Sequence, residues 1–211
     1  MLTVHHLGIS QSERIVWLCE ELGLDYALKR YERRADNRLA PDDYKALHPM
    51  GIAPVITDGD LVLGESGAIC EYICGRYGGG RLVPGPDDPD FADHLFWFHW
   101  SNATFMATLM MQLVLSTGGQ DNPAAAFVQD RSRRGWAMIE ARLGQAPFFG
   151  GRDLTTADIM MGYCLTTSRA FRGTSIDPYP NLKAYLQRIG ARPAYQRAMA
   201  KAEPGLTPML A

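Results

Sequence analysis

Apolar and polar residues alternate at the start of the chain and then change period. Leu2, Val4 and His6 alternate with Thr3 and His5, the pattern of a strand. From Ser12 the apolar spacing lengthens to Ile15, Leu18, Cys19 and Leu22, with Gly23 at the stop. This predicts a helix capped at both ends, with Ser12 as the N-cap residue. Tyr26 and Leu28 suggest a second strand, and the polar segment from Arg33 to Lys45 suits either a short helix or a flap over a ligand. Val55-Ile56-Thr57 and Leu61-Val62-Leu63 flank Asp58-Gly59-Asp60, and an Asp-Gly pair between two β-rich runs predicts an antiparallel hairpin. Ala53-Pro54 enters that hairpin, where proline removes a ladder donor and holds a turn, in the cis form where the surroundings enforce it. Glu65-Ser66 opens a helix carrying Ile69, Tyr72, Ile73 and Tyr77. The order is βαβ, a variable segment, then ββα, an α/β unit.

Gly78-Gly79-Gly80 stops this half and, lacking the Lys-Ser/Thr of a phosphate loop, reads as a helix stop and hinge. Pro84, Pro86 and Pro89 make 81–90 a linker, so the expected domains are 1–80 and 91–211. Beyond the linker the pattern is helical to the end. Leu95 to Gln120 contains no Asp, Glu, Lys or Arg and is long enough to span a bilayer. But Ser101, Thr104, Thr108 and Gln112 recur at three or four residues, so a buried helix with one wet face is expected rather than a membrane span. A second helix begins at Asn122-Pro123 and carries Phe127, Trp136, Ile139 and Leu143 before Gly144. A third opens at Thr155-Thr156-Ala157-Asp158, a capping box with Leu154 and Ile159 at the staple positions. Leu182, Tyr185, Leu186 and Ile189 give another helix, and Arg192-Pro193 starts the last.

Charge and cysteines narrow the class. A net charge of −2 argues against a nucleic-acid partner, which would need a concentrated basic excess, and Arg131, Arg133 and Arg134 fit a solvated helix face. Cys19, Cys70, Cys74 and Cys164 show no Cys-x-x-Cys spacing, which suits reduced thiols and weakens disulfide and zinc readings. No metal site is expected either: His94 and His99 are five apart, off one helical face, and His5 and His6 point to opposite faces of a strand. The opening residues lack a basic-then-apolar signal, so a cytoplasmic location is expected.

A proline-entered hairpin followed by Glu-Ser at a helix start resembles the glutathione-binding half of the cytosolic glutathione S-transferases, and the order of signals is similar to the bacterial, serine-type members over nearly the whole chain. The resemblance implies an N-terminal thioredoxin-like α/β domain followed by an all-α C-terminal helical domain. It implies a homodimer and a detoxifying enzyme with glutathione as co-substrate and no cofactor. It also implies that the backbone at Ala53, Pro54 and Val55 pairs with the cysteinyl unit of glutathione, while Glu65 and Ser66 hold the γ-glutamyl end. That junction suits an α-carboxylate, because free N–H groups, a hydroxyl and the positive end of the helix dipole converge on it; Glu65 can take the ammonium.

Conjugation requires a thiolate, and a free thiol titrates near ~8.5, so the protein must stabilise the anion. A hydroxyl at a helix N-terminus does so through a hydrogen bond to sulfur and the dipole. In the serine-type members the activating Ser lies four residues before an Arg, which here matches Ser10 to Arg14, with Ser12 as the rival. The loop holds no Tyr and no Cys. Where similar bacterial sequences read Ser-Arg-Ser and Gly-Lys-Ser-Pro, this chain has Ser10-Gln11-Ser12 and Gly51-Ile52-Ala53-Pro54, so two cations near the peptide are missing. Gln11 and His48 stand beside the expected site, with Lys45 and Arg38 as alternative cations; His48 equally suits the capping of a turn. A small apolar electrophile is the expected second substrate. Trp97, Trp100, Phe105 and Met106 are its candidate lining, although such a stripe equally fits a helix core. A glutathione-dependent peroxidase or isomerase, or a non-catalytic binder of apolar ligands, would use the same fold.

Overall fold

A computed structural model describes residues 1–116, 123–171 and 173–211. They form two compact units, Met1–Val83 with Ile189–Met209, and Pro84–Arg188 with Leu210–Ala211.

In the first unit β1 (Leu2–Leu7), β2 (Ala27–Tyr31), β3 (Val55–Asp58) and β4 (Leu61–Gly64) make one sheet in the order β2-β1-β3-β4. β1 and β2 are parallel and therefore need a crossover, which α1 (Glu13–Leu22) supplies; the other neighbours are antiparallel. Val4 sits between Leu28 and Ile56 across the sheet, so the alternation read from β1 becomes its register. Gly23, at φ 61, ends α1 by turning its N–H onto the carbonyls of Cys19 and Glu20. Ser12 does not cap the other end. Its own φ and ψ are helical and its hydroxyl is drawn back to β1, accepting from the Leu7 N–H and meeting the His6 ring. The polar segment ends in a four-residue helix, α2 (Asp42–Lys45), whose Tyr44 is buried with Leu7, Tyr31 and Val55.

The last helix, α9 (Pro193–Ala202), was expected among the helices of 91–211 but packs on α1. Arg192 forks onto Glu21 at 2.7 and 2.8 Å, Arg197 and Lys201 meet Glu20 at 3.0 and 2.5 Å, and Tyr195 sits edge-on to Trp17 at 5.0 Å. The first unit is thus discontinuous in sequence. The spacing of apolar residues in α9 says that it is amphipathic, not which partner it covers.

In the second unit α4 (Phe91–Trp100) continues through a π-helical turn (Ser101–Met106) into α5 (Ala107–Ser116). α6 (Pro123–Gln145), α7 (Thr156–Leu165) and α8 (Pro180–Gly190) follow after α3 (Ser66–Arg76) of the first unit and these helices. Asn122, the expected cap of α6, and the end of the uncharged run lie outside the described residues. Among those described, no helix is long and apolar enough to cross a membrane. The expected wet stripe is a correction: Ser101 and Thr108 are buried and return their hydroxyls to the carbonyls of Phe98 and Thr104, at 2.8 and 2.7 Å, which satisfies them without water. The exposed side carries Leu95, Phe96, Met110 and Val114 instead.

α7 opens with the expected capping box. Asp158 is fully buried and accepts from the N–H groups of Phe149 and Thr155 at 2.8 and 2.9 Å and from the Tyr185 hydroxyl at 3.2 Å. Asp158→Ala removes the acceptor of these three buried donors and should lower the unfolding free energy by about 2–4 kcal/mol in urea titrations. Burial pushes the Asp158 carboxyl up to about 6, against the pull of its hydrogen bonds. The folded state therefore holds this proton more tightly than the unfolded chain, where a carboxyl titrates near ~4. The stability it contributes is complete below pH ~4 and is lost as pH rises through about 6. Urea midpoints measured across that window should carry this falling component in the wild type and lack it in Asp158→Asn.

Candidate functional site

β1 passes into α1 through Gly8-Ile9-Ser10-Gln11-Ser12. Ile9 has φ 52, a left-handed conformation that costs a β-branched residue on the order of 1–3 kcal/mol and persists only where the surroundings impose it. Here the Ile9 N–H donates to Glu203 Oε1 at 2.5 Å. The Arg33 guanidinium donates to the carbonyls of Gly8, Ile9 and Arg38 at 2.8, 3.1 and 2.9 Å. Side chains from two distant segments thus grip both polar sides of the strained residue.

The two serines of this loop share one buried network. Ser10 Oγ donates to the Leu7 carbonyl at 2.6 Å and lies 2.7 Å from Ser12 Oγ. Ser12 Oγ lies 2.9 Å from His6 Nδ1, and His6 Nε2 lies 3.0 Å from Glu203 Oε1. Ser12 is completely enclosed, whereas Ser10 retains 4 % exposure.

Arg14, buried in the first turn of α1, joins this loop to the other half of the expected site. Its guanidinium donates to Gln11 Oε1 at 2.6 Å and to Ser66 Oγ at 3.2 Å. Gln11 is therefore turned toward Arg14, and Ser66, the first residue of α3, has its hydroxyl held by the same cation. Glu65 just before it has φ 68 and ψ 119, a second strained residue at the junction. The Ala53–Pro54 bond is cis, and Val55 pairs with Gly64 across the hairpin. His48 accepts the Met50 N–H at 3.3 Å, the turn-capping role, and its ring also packs over Gly64. It lines a cavity of about 290 Å³ with Met50, Ile52, Leu63, Glu65 and Ala68. Lys45 is paired with Asp42 at 3.7 Å, and Arg38 is exposed in a left-handed turn.

The expected electrophile lining is not brought to an open surface. Trp97, Trp100, Phe105 and Met106 are all buried; Trp100 stacks on Phe105 at 4.9 Å, Phe105 meets the edge of Trp136 at 5.1 Å, and Trp97 meets Phe149 at 5.0 Å. The stripe finds aromatic partners on α6 and before α7, so it is the core of the helical unit. A larger cavity, about 500 Å³, borders Gly8 and Ile9 and is polar, with Arg30, Glu32, Arg33 and Arg38 on its walls.

Residues 10–76 match the model of the glutathione S-transferase N-terminal domain, and residues 122–188 that of the C-terminal domain. Glutathione S-transferase 3 of Schizosaccharomyces pombe is 30% identical over 96% of this chain and 88% of its own length. The chain belongs to the glutathione S-transferase family. Among solved structures, a glutathione S-transferase from Actinobacillus pleuropneumoniae is 35% identical with a TM-score of 0.87, covering 98% of this chain and 94% of that one. The theta class glutathione S-transferase from Xanthomonas axonopodis pv. citri, solved with glutathione bound, is 27% identical with a TM-score of 0.72 and covers 98% and 99%.

In this transferase the residues missed from sequence are Arg33, His6 and Glu203. Arg14 served there only as a marker for counting back to Ser10. Arg33 lies in a segment without periodicity, and Glu203 is 197 residues from its partner His6, so no local pattern joins them. Replacing Arg33 by Lys keeps the charge but not the fork that spans separate carbonyls. Arg33→Lys should lower stability by about 1 kcal/mol and speed hydrogen exchange at the Ile9 amide, measured by NMR.

Proposed function

We propose that this glutathione S-transferase holds the γ-glutamyl end of glutathione at Glu65 and Ser66 and its cysteinyl unit beside Ala53, Pro54 and Val55. Ser10 donates its hydroxyl hydrogen to the sulfur, stabilising the thiolate that attacks a small apolar electrophile. The observation that carries this reading is the linkage of the two helix starts by Arg14: the loop with Ser10 and the hydroxyl of Ser66 are fixed by one buried cation. Ser10 rather than Ser12 takes the catalytic role, because Ser12 is enclosed between His6, Leu7 and Ser10. Gln11 and His48 act at one remove, Gln11 through Arg14 and His48 by shaping the turn before the cis-proline.

The aromatic cluster of Trp97, Trp100, Phe105 and Met106 supports the helical unit in this reading and does not contact the electrophile. Glutathione enters as co-substrate, with no cofactor. A second copy of the chain is the proposed partner, and the exposed apolar side chains Met50, Ile52 and Val62 fit such a contact. The four buried cysteines, none of them in a disulfide, fit a reducing, cytoplasmic setting.

Turnover of a chlorinated nitroaromatic and calorimetric glutathione binding test the assignment. Ser10→Ala should reduce kcat/KM by about 100-fold or more with binding nearly kept. Ser66→Ala should instead weaken binding by about 1–3 kcal/mol. Equal turnover in the wild type and Ser10→Ala would remove the catalytic role from Ser10, and retention of glutathione without turnover of electrophiles or peroxides by the wild type would mark a binding protein.

A further inference from the structure

We propose that His6 and Glu203 form a buried ion pair that acts through Ser12 as a positioning set for Ser10, making its hydroxyl an obligate donor toward the sulfur. The inference rests on the reading of Ser10 given above and extends it to three residues behind the reacting atoms.

Counting hydrogens along the network gives its polarity. The Leu7 carbonyl can only accept, so at 2.6 Å Ser10 gives it the single hydrogen of its hydroxyl. The hydrogen in the 2.7 Å contact between Ser10 and Ser12 must then come from Ser12. With that hydrogen committed, the 2.9 Å contact between Ser12 and His6 Nδ1 takes its hydrogen from the ring. On the far side, Glu203 Oε1 already accepts the Ile9 N–H at 2.5 Å, and His6 Nε2 approaches the same oxygen at 3.0 Å as a second donor. With Glu203 taken as the carboxylate of the proposed pair, His6 carries a hydrogen on each nitrogen, both partners being buried. The opposite polarity would leave two oxygens facing each other at 2.6 or 2.7 Å with no hydrogen between them.

Every link in this order donates outward, from ring to Ser12, from Ser12 to Ser10, and from Ser10 to the Leu7 carbonyl. A sulfur anion arriving beside Ser10 competes for that last hydrogen, while the lone pairs of Ser10 already hold the hydroxyl hydrogen and, at 3.3 Å, the amide hydrogen of Ser12. The hydroxyl therefore has no alternative role as an acceptor of the thiol hydrogen. Glu203 also holds the strained Ile9, so one carboxylate sets both the direction of the network and the shape of the loop that carries it.

Other charged groups of the neighbouring elements are otherwise engaged. Arg30 of β2, which pairs with His6 in register, bonds to Glu32 and the Ala202 carbonyl. Arg14 on α1 turns to Gln11 and Ser66, and Glu13 beside it is buried. Arg197 and Lys201 of α9 turn to Glu20.

The test compares the wild type, Glu203→Gln, Ser12→Ala and Ser10→Ala. Calorimetry gives glutathione affinity, and ultraviolet difference absorbance of the bound thiolate, titrated against pH, gives the pH at which the thiol ionises. Glu203→Gln and Ser12→Ala should keep glutathione affinity, since the γ-glutamyl contacts are untouched, and raise the ionisation midpoint by about one pH unit, a tenfold loss of thiolate below it. A purely structural role would lower affinity or melting temperature and leave the midpoint in place, which overturns the proposal. An unchanged midpoint in Ser10→Ala would instead overturn the serine reading and this inference with it. Should the buried replacements fail to fold, nitrogen-15 NMR of the wild type decides: bonded hydrogens on both ring nitrogens of His6 support the pair, and a bare Nδ1 overturns it.

Discussion

One oxygen of Glu203 meets the His6 ring and accepts from the Ile9 amide, and the loop that carries Ser10 keeps its shape on that account. Ile9 sits in a backbone conformation that an isoleucine does not choose. A strained loop between a strand and a helix relaxes unless it is held from more than one side. The carboxylate takes the amide side, and Arg33 takes the carbonyl side. With the loop fixed, Arg14 in the next turn is in place to reach Ser66, and the starts of α1 and α3 are joined by one cation.

Much of the fold was legible because each local signal had a physical cause that survives in the tertiary structure. Asp58-Gly59 closes a hairpin, Gly23 ends α1 and Thr155 with Asp158 starts α7. The resemblance in the Pro54 to Ser66 stretch likewise pointed to the right family. Where the reading failed, a residue had more than one use and sequence spacing could not choose between them. Ser12 looked like an N-cap, but its hydroxyl had a better partner in the His6 ring behind it. Ser101 and Thr108 looked like a wet stripe, but a hydroxyl in a helix can return to its own backbone, and these do. The aromatic stripe suited either a pocket or a core, and Trp97 met Phe149 before α7 while Phe105 met Trp136 of α6, both within the core.

The candidate site was legible in its local geometry and hidden in its long-range part. Ser10, Pro54, Glu65 and Ser66 sit at element boundaries that a one-dimensional pattern marks. His6 reads as one more inward residue of a strand, and Glu203 as a charge past the last helix; only the packing of α9 on α1 brings that carboxylate under the loop. The charge inventory behaves the same way. Two cations expected from similar sequences are absent, and the ones that matter to the geometry, Arg14 and Arg33, were present but spoke only through their partners.

The discontinuity of the first unit has a consequence for how the protein is made. A ribosome delivers the sheet, the serine loop and the proline turn early, but the carboxylate that holds the Ile9 amide comes after the helices of the second unit. Until then the N-terminal half can hold its strained loop only from the carbonyl side, through Arg33. The shape proposed for the Ser10 loop is therefore complete only after the segment carrying Glu203 has joined the sheet unit.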